Sequence, residues 1–129
     1  MKIFKIFSIL IFISTNVVFA QFGKNKVHTK DFDWSYIQTK HFDIYFANNG
    51  ETLTEFTAQS AEEAIASIQK TFNYRVNSRI TIIVYNSQND FQETNIIDEY
   101  LSEGIQGFTE LFKNRVVIQY TGSYKQFRH

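Results

Sequence analysis

Three histidines, His28, His41 and His129, are the side chains of this sequence best suited to bind a metal or move a proton. None of them opens a His-Glu-x-x-His run, the spacing that sets two imidazoles one helical turn apart on a zinc ion. His41 and Asp43 alternate onto one face of an expected strand and could donate two ligands. A catalytic zinc takes three ligands from the protein, and no third stands near them in sequence. The pair therefore reads as a solvated strand face, and His28 as plain surface. The acidic pairs Glu62-Glu63 and Asp98-Glu99 are sequence neighbours, and on a helix neighbours do not face each other. Their expected role is solubility. Cys is absent, which excludes disulfides, Cys zinc sites, a thiol nucleophile and a lipidated Cys. A Gly-x-Ser-x-Gly elbow and a phosphate-binding glycine loop are absent too.

One element suggests recognition rather than catalysis. The stretches Gly107–Leu111 and Val116–Tyr120 flank Lys113-Asn114 and predict a β-hairpin. An edge strand there would offer unpaired N–H and C=O groups to an extended peptide. Completion of the sheet, with the edge covered, is the plainer expectation, since edges are usually blunted.

The elements that must position this hairpin can be read upstream. Residues 34–39 predict a strand. So do residues 41–46, where Phe42, Ile44 and Phe46 alternate with His41, Asp43 and Tyr45. Asn48, Asn49 and Gly50 predict a turn. Thr52 and Glu55 have the spacing of a capping box. Behind them Leu53, Phe56, Ser60, Ala61, Ala64, Ile65, Ile68 and Phe72 form one helical stripe. The run Ile80–Tyr85 is apolar and rich in β-branched residues, as in a strand buried on both faces. Strand, helix and buried strand predict a right-handed βαβ unit. A short helix is expected within residues 91–101. The fold class expected is α+β: a mixed sheet with a βαβ unit and a β-hairpin.

The N-terminus reads as an export signal over residues 1–20. Lys2 and Lys5 precede the apolar run Ile6–Ile13, and Val18 and Ala20 are the small residues ahead of a cut between Ala20 and Gln21. Ser14, Thr15 and Asn16 interrupt the about 20 apolar residues that a membrane span needs. Export, to the periplasm or beyond, is the expected localisation, with membrane contact only through the transient signal. Residues 21–33 are expected to be a flexible lead-in and residues 34–129 the folded domain. The whole chain of 129 residues has 13 basic and 13 acidic side chains, and both lysines of the signal leave with it. The remainder is slightly acidic, so no nucleic-acid partner is indicated. Aromatics make up 17% of the chain, which supplies enough burial for a core without disulfides.

Ser123 and Gln126 have the spacing of a second capping box, with Tyr124 and Phe127 as the first apolar residues. The helix they predict has about two turns before His129. A helix so short frays when isolated, so the expectation is a sequence that breaks off inside a helix, with a half-covered sheet that is marginally stable by itself.

Four segments carry a resemblance: residues 32–46 (Phe-Asp-Trp-Ser-Tyr-Ile-Gln-Thr-Lys-His-Phe-Asp-Ile-Tyr-Phe), residues 82–91 (Ile-Ile-Val-Tyr-Asn-Ser-Gln-Asn-Asp-Phe), residues 107–118 (Gly-Phe-Thr-Glu-Leu-Phe-Lys-Asn-Arg-Val-Val-Ile) and residues 122–129 (Gly-Ser-Tyr-Lys-Gln-Phe-Arg-His). Together they resemble exported bacterial proteins in which a gluzincin-type, peptidase MA-like domain precedes a TolB-like, WD40-like β-propeller. The likeness implies that the chain is the N-terminal part of a zinc-metallopeptidase-like domain acting on a peptide or protein. It implies no cofactor within this chain; zinc would belong to the full-length parent, on a His-Glu-x-x-His helix continuing after His129. It further implies that Gly107–Leu111 is the substrate-docking edge strand, with Gly107, Thr109 and Glu110 as its site residues. Gly107-Phe-Thr-Glu-Leu is similar to the Gly-x-Met-Glu-Asn strand of related aminopeptidases; Glu110 matches their Glu, while Thr109 and Leu111 depart from the pattern. A non-catalytic envelope binding or scaffolding module on the same fold is the alternative.

Overall fold

The structure, a computed structural model, describes residues 30–97, 101–102 and 104–128. The predicted signal with its cut at Ala20-Gln21, His28, the pair Asp98-Glu99 and His129 lie outside the described residues. Among the described residues the fold is α+β: a five-stranded mixed sheet and three α-helices. In chain order the elements are β1 (Trp34–Gln38), β2 (Phe42–Ala47), α1 (Glu51–Phe72), β3 (Ile80–Tyr85), α2 (Gln88–Gln92), β4 (Gly107–Glu110), β5 (Arg115–Gln119) and α3 (Tyr124–Phe127).

Across the sheet the strands run β1-β2-β3-β5-β4. Strands β2, β3 and β5 are mutually parallel, and β1 and β4 close the two edges antiparallel to their neighbours. The expected strand–helix–strand unit is β2–α1–β3, and the expected hairpin is β4–β5. Parallel central strands need both faces covered; one packing cluster covers the α1 face, and a second covers only part of the other, where Tyr45 stays exposed and Ile83 half-buried. On one face Phe42, Ile44, Ile82 and Val84 pack against Leu53 and Ile65 of α1. On the other, Tyr85 and Val117 pack with Phe91 of α2 and Leu101, and Phe32, Ile83 and Phe108 join them. Ile44, Phe91 and Val117 are fully buried, each contributing about 1.5–3 kcal/mol by leaving water. Phe32, at the end of the predicted lead-in, lies 5.9 Å from the Tyr85 ring.

Several expected details are corrected. Neither capping box forms. Helix α1 starts earlier than Thr52 would allow, because the Gly50 carbonyl accepts the Thr54 N–H at 2.9 Å and the Thr54 hydroxyl at 2.7 Å. Thr52 then falls inside the first turn, where its hydroxyl cannot cap. The apolar stripe of α1 holds at Leu53 and Ile65 but not at its end, where Ile68 and Phe72 are exposed. Length explains this: 22 helical residues rise about 33 Å, while a six-residue strand spans about 20 Å, so the last turns overshoot the sheet. The short helix expected within 91–101 lies earlier, at Gln88–Gln92, because the Ser87 hydroxyl caps it by accepting the Asp90 N–H at 3.2 Å. Leu111 is not in the edge strand; it opens a 3-10 turn, Leu111–Lys113, which Asn114 closes at φ 50°.

Helix α3 docks on α1. Tyr124 lies edge-on to Phe56 at 4.8 Å, Phe127 packs on Tyr120 at 5.8 Å, and Arg128 pairs with Glu63 at 2.7 Å.

Candidate functional site

Strand β4 is brought to the sheet edge by its hairpin with β5, in the register Gly107↔Ile118 to Glu110↔Arg115. The Gln119 N–H bonds the Gln106 carbonyl at 3.0 Å, and the Gln119 side-chain amide donates to the Ile105 carbonyl at 3.1 Å. These contacts fix where β4 begins. Hydrogen-bonded and non-bonded pairs alternate along an antiparallel ladder. Counting inward from the bonded Gln106–Gln119 pair, Phe108 and Glu110 bond to β5. The backbone N–H and C=O groups of Gly107 and Thr109 therefore point outward, and no described strand pairs with them.

The three predicted site residues play different parts. Gly107 is required sterically: a Cβ there would stand 2.7 Å from the Val117 carbonyl oxygen and 3.0 Å from Ile118 Cγ2. Thr109 is exposed on the edge. Glu110 is engaged at once by Lys113, at 2.8 Å, and by Arg115, at 2.5 Å. Hydrogen bonds from Lys113 and then Arg115 hold its carboxyl below the usual carboxylate range. Both partners are local, across and at the end of the same hairpin, so Glu110 is occupied in pinning the turn.

A second polar cluster was not legible in the sequence. Glu62 of α1 accepts hydrogen bonds from the Thr39 hydroxyl at 2.6 Å, the His41 backbone N–H at 2.8 Å and His41 Nδ1 at 2.7 Å. Burial pushes the Glu62 carboxyl up, but the bonds from Thr39 and His41 outweigh it and hold the pKa at about 2. Glu62 is thus a clasp between helix and strand turn, not a solubilising charge. His41 sits in the turn before β2, so the strand alternation does not extend to it. Asp43 instead accepts from the Gln38 amide at 2.7 Å and lies 3.8 Å from Arg79. The two residues do not form a ligand pair.

Beside His41 an open cavity of about 830 Å³ is lined by Lys40, Lys70, Tyr74 and Arg75 among others. Among the described residues no group of three or more His, Cys, Asp or Glu is placed to hold a metal ion. The residues described do not fit a zinc centre, and no metal-dependent step is assigned to them. Likewise, no helix among them is long and apolar enough to cross a membrane.

Comparison with protein-family models, with curated proteins and with solved structures gave no match. The gluzincin likeness accordingly rests on the four sequence segments.

Proposed function

We propose that this chain is the N-terminal, sheet-bearing part of an exported zinc-metallopeptidase-like protein, and that it presents the edge of β4 to the backbone of an extended peptide or protein substrate. The outward N–H and C=O groups of Gly107 and Thr109 support this most directly, as an extended chain can add to such an edge. The order of elements is consistent with it: edge strand, tight turn, inner strand, then a helix that docks beneath the sheet through Phe127. On this proposal the metal ligands belong to sequence after His129. Glu110 serves the hairpin, so backbone pairing at Gly107 and Thr109, rather than capture of a substrate amine, carries recognition.

The test uses the processed, isotope-labelled protein titrated with an extended peptide. Amide shifts should concentrate at Gly107 and Thr109. Thr109→Pro, which removes an outward N–H and leaves the ladder to β5 whole, should abolish binding without unfolding the protein. Shifts centred elsewhere would defeat the docking assignment. Metal analysis of the full-length parent separates the two chemistries: stoichiometric zinc with chelator-sensitive peptide cleavage supports the peptidase. Peptide docking with neither zinc nor cleavage supports the scaffolding alternative.

A further inference from the structure

Strand β1 forms the opposite edge of the sheet, and its character differs from that of β4. Its sequence, Trp-Ser-Tyr-Ile-Gln, carries no charge, no Pro and no Gly. Trp34 and Tyr36 are exposed at 45% and 61%. Natural edges are normally blunted by charges, Pro or bulges, and among the described residues no strand pairs with this one.

The ladder to β2 shows which backbone groups are free. The Thr39 N–H bonds the Phe42 carbonyl at 2.8 Å. Counting from that bonded pair along the register Gln38↔Asp43 to Trp34↔Ala47, Ile37 and Ser35 bond to β2. Trp34, Tyr36 and Gln38 point their N–H and C=O groups outward.

Charges flank the strand in a directional order. Asp31 and Asp33 precede it and Lys40 follows it, all three exposed. Among the described residues none of the three makes an ion pair. A parallel partner would set acid against acid. A two-fold antiparallel partner sets the acidic end of each strand against the basic end of the other, twice over.

We propose that β1 pairs with β1 of a second copy of this chain, antiparallel and centred on Tyr36, to make one continuous sheet through both molecules. In that register Trp34 faces Gln38 of the second copy, and Tyr36 faces its own equivalent. These are the outward-pointing residues, so each pair exchanges both of its N–H···O bonds. Tyr36 already stacks on Tyr45 at 5.5 Å. The two-fold axis extends this into a row of four tyrosine rings across the junction, the kind of cross-strand aromatic contact that stabilises sheets. Symmetric, self-complementary contact of this kind is the commonest route to a closed dimer. Strand β4 is the poorer candidate for self-pairing: it is one residue shorter and ends in the charged Glu110–Arg115–Lys113 group.

Sedimentation equilibrium of the processed protein tests this. A reversible dimer is expected. Tyr36→Pro removes an outward N–H and no bond to β2, and should raise the dimer dissociation constant about tenfold or more. Asp33→Lys and Lys40→Asp should each weaken the dimer about threefold to tenfold, and the double variant should restore it. Circular dichroism checks that each variant keeps its fold; the charge pair stands as the test if Tyr36→Pro does not. A monomer at all concentrations, a dimer indifferent to these changes, or open-ended growth that persists in the double variant would overturn the proposal.

Discussion

Glu62 on α1 holds both the backbone and the side chain of His41, accepting from its N–H at 2.8 Å and contacting its Nδ1 at 2.7 Å. With the Thr39 hydroxyl as a third donor, at 2.6 Å, one carboxylate fastens the β1–β2 turn to the helix that crosses beneath it. Hydrogen bonds to a charged group are worth more than neutral ones, and loss of the acceptor leaves its donors unpaired.

Glu62→Gln is therefore expected to destabilise the fold by about 1–3 kcal/mol at neutral pH, measured by urea denaturation. The sign with pH follows from a folded pKa of about 2 against 4.5 for a free Glu. A depressed carboxyl stabilises the fold above its unfolded pKa and ceases to do so as pH falls through the folded value. The gap between the parent and Glu62→Gln should be full at pH 6 and narrow steadily between about pH 4.5 and 2. A gap independent of pH over that window would show that the carboxylate charge is not what holds the turn.

Gly107→Ala should cost about 1–3 kcal/mol, since the new methyl overlaps a backbone carbonyl that cannot rotate away. Strand β4 would separate locally from β5 before the rest of the sheet is disturbed. Hydrogen exchange should accelerate at Phe108 and Glu110 while Ile82 and Val84 remain protected. Uniform loss of protection would mean that β4 is integral to the core and not a detachable edge.

Phe91 and Phe112 are the same residue type under opposite conditions. Phe91 is fully buried, with Tyr85 at 6.0 Å and Phe108 at 5.7 Å, whereas Phe112 is fully exposed on the hairpin turn. Phe91→Ala should cost about 3–5 kcal/mol. Phe112→Ser should change stability by about 0.5 kcal/mol or less and improve solubility, as it removes apolar surface beside exposed Leu111. Thermal unfolding of the two variants side by side measures the contrast.

Asn114 closes the β4–β5 turn in the left-handed region at φ 50° and donates its side-chain amide to the Arg79 carbonyl at 3.1 Å. Its own carbonyl accepts the Thr81 N–H at 3.1 Å. Asn114→Gly keeps the backbone but loses the amide bond, and should cost about 1 kcal/mol. Asn114→Val adds the penalty of a β-branched residue at positive φ and should cost at least about 1 kcal/mol more. Equal stability of the two variants, by chemical denaturation, would remove the conformational part of this account.

The strands and the long helix were legible because their signals are local. Alternation at Phe42, Ile44 and Phe46 gave β2 its buried face, and the apolar run Ile80–Tyr85 gave the central strand. The hairpin and its bend at Asn114 were legible, since Asn tolerates positive φ, but the connection is longer than the Lys113-Asn114 turn expected, because Leu111–Lys113 winds into a 3-10 turn. The capping spacing misled at Thr52, because burial of Thr54 gave the first bond to the Gly50 carbonyl; at Ser123 it placed the helix start correctly, although the Ser123 side chain makes no cap bond.

What the sequence determined by itself is the set of elements and the faces they bury, since periodicity and turn chemistry act over a few residues. Only the tertiary structure decided which polar groups meet. The Glu62–His41 pair is 21 residues apart in sequence, and the overshoot of α1 depends on the length of the sheet beneath it. Which backbone groups of β1 and β4 face outward was likewise hidden, because strand order and ladder phase arise from pairing between distant segments. No single stretch of chain encodes them.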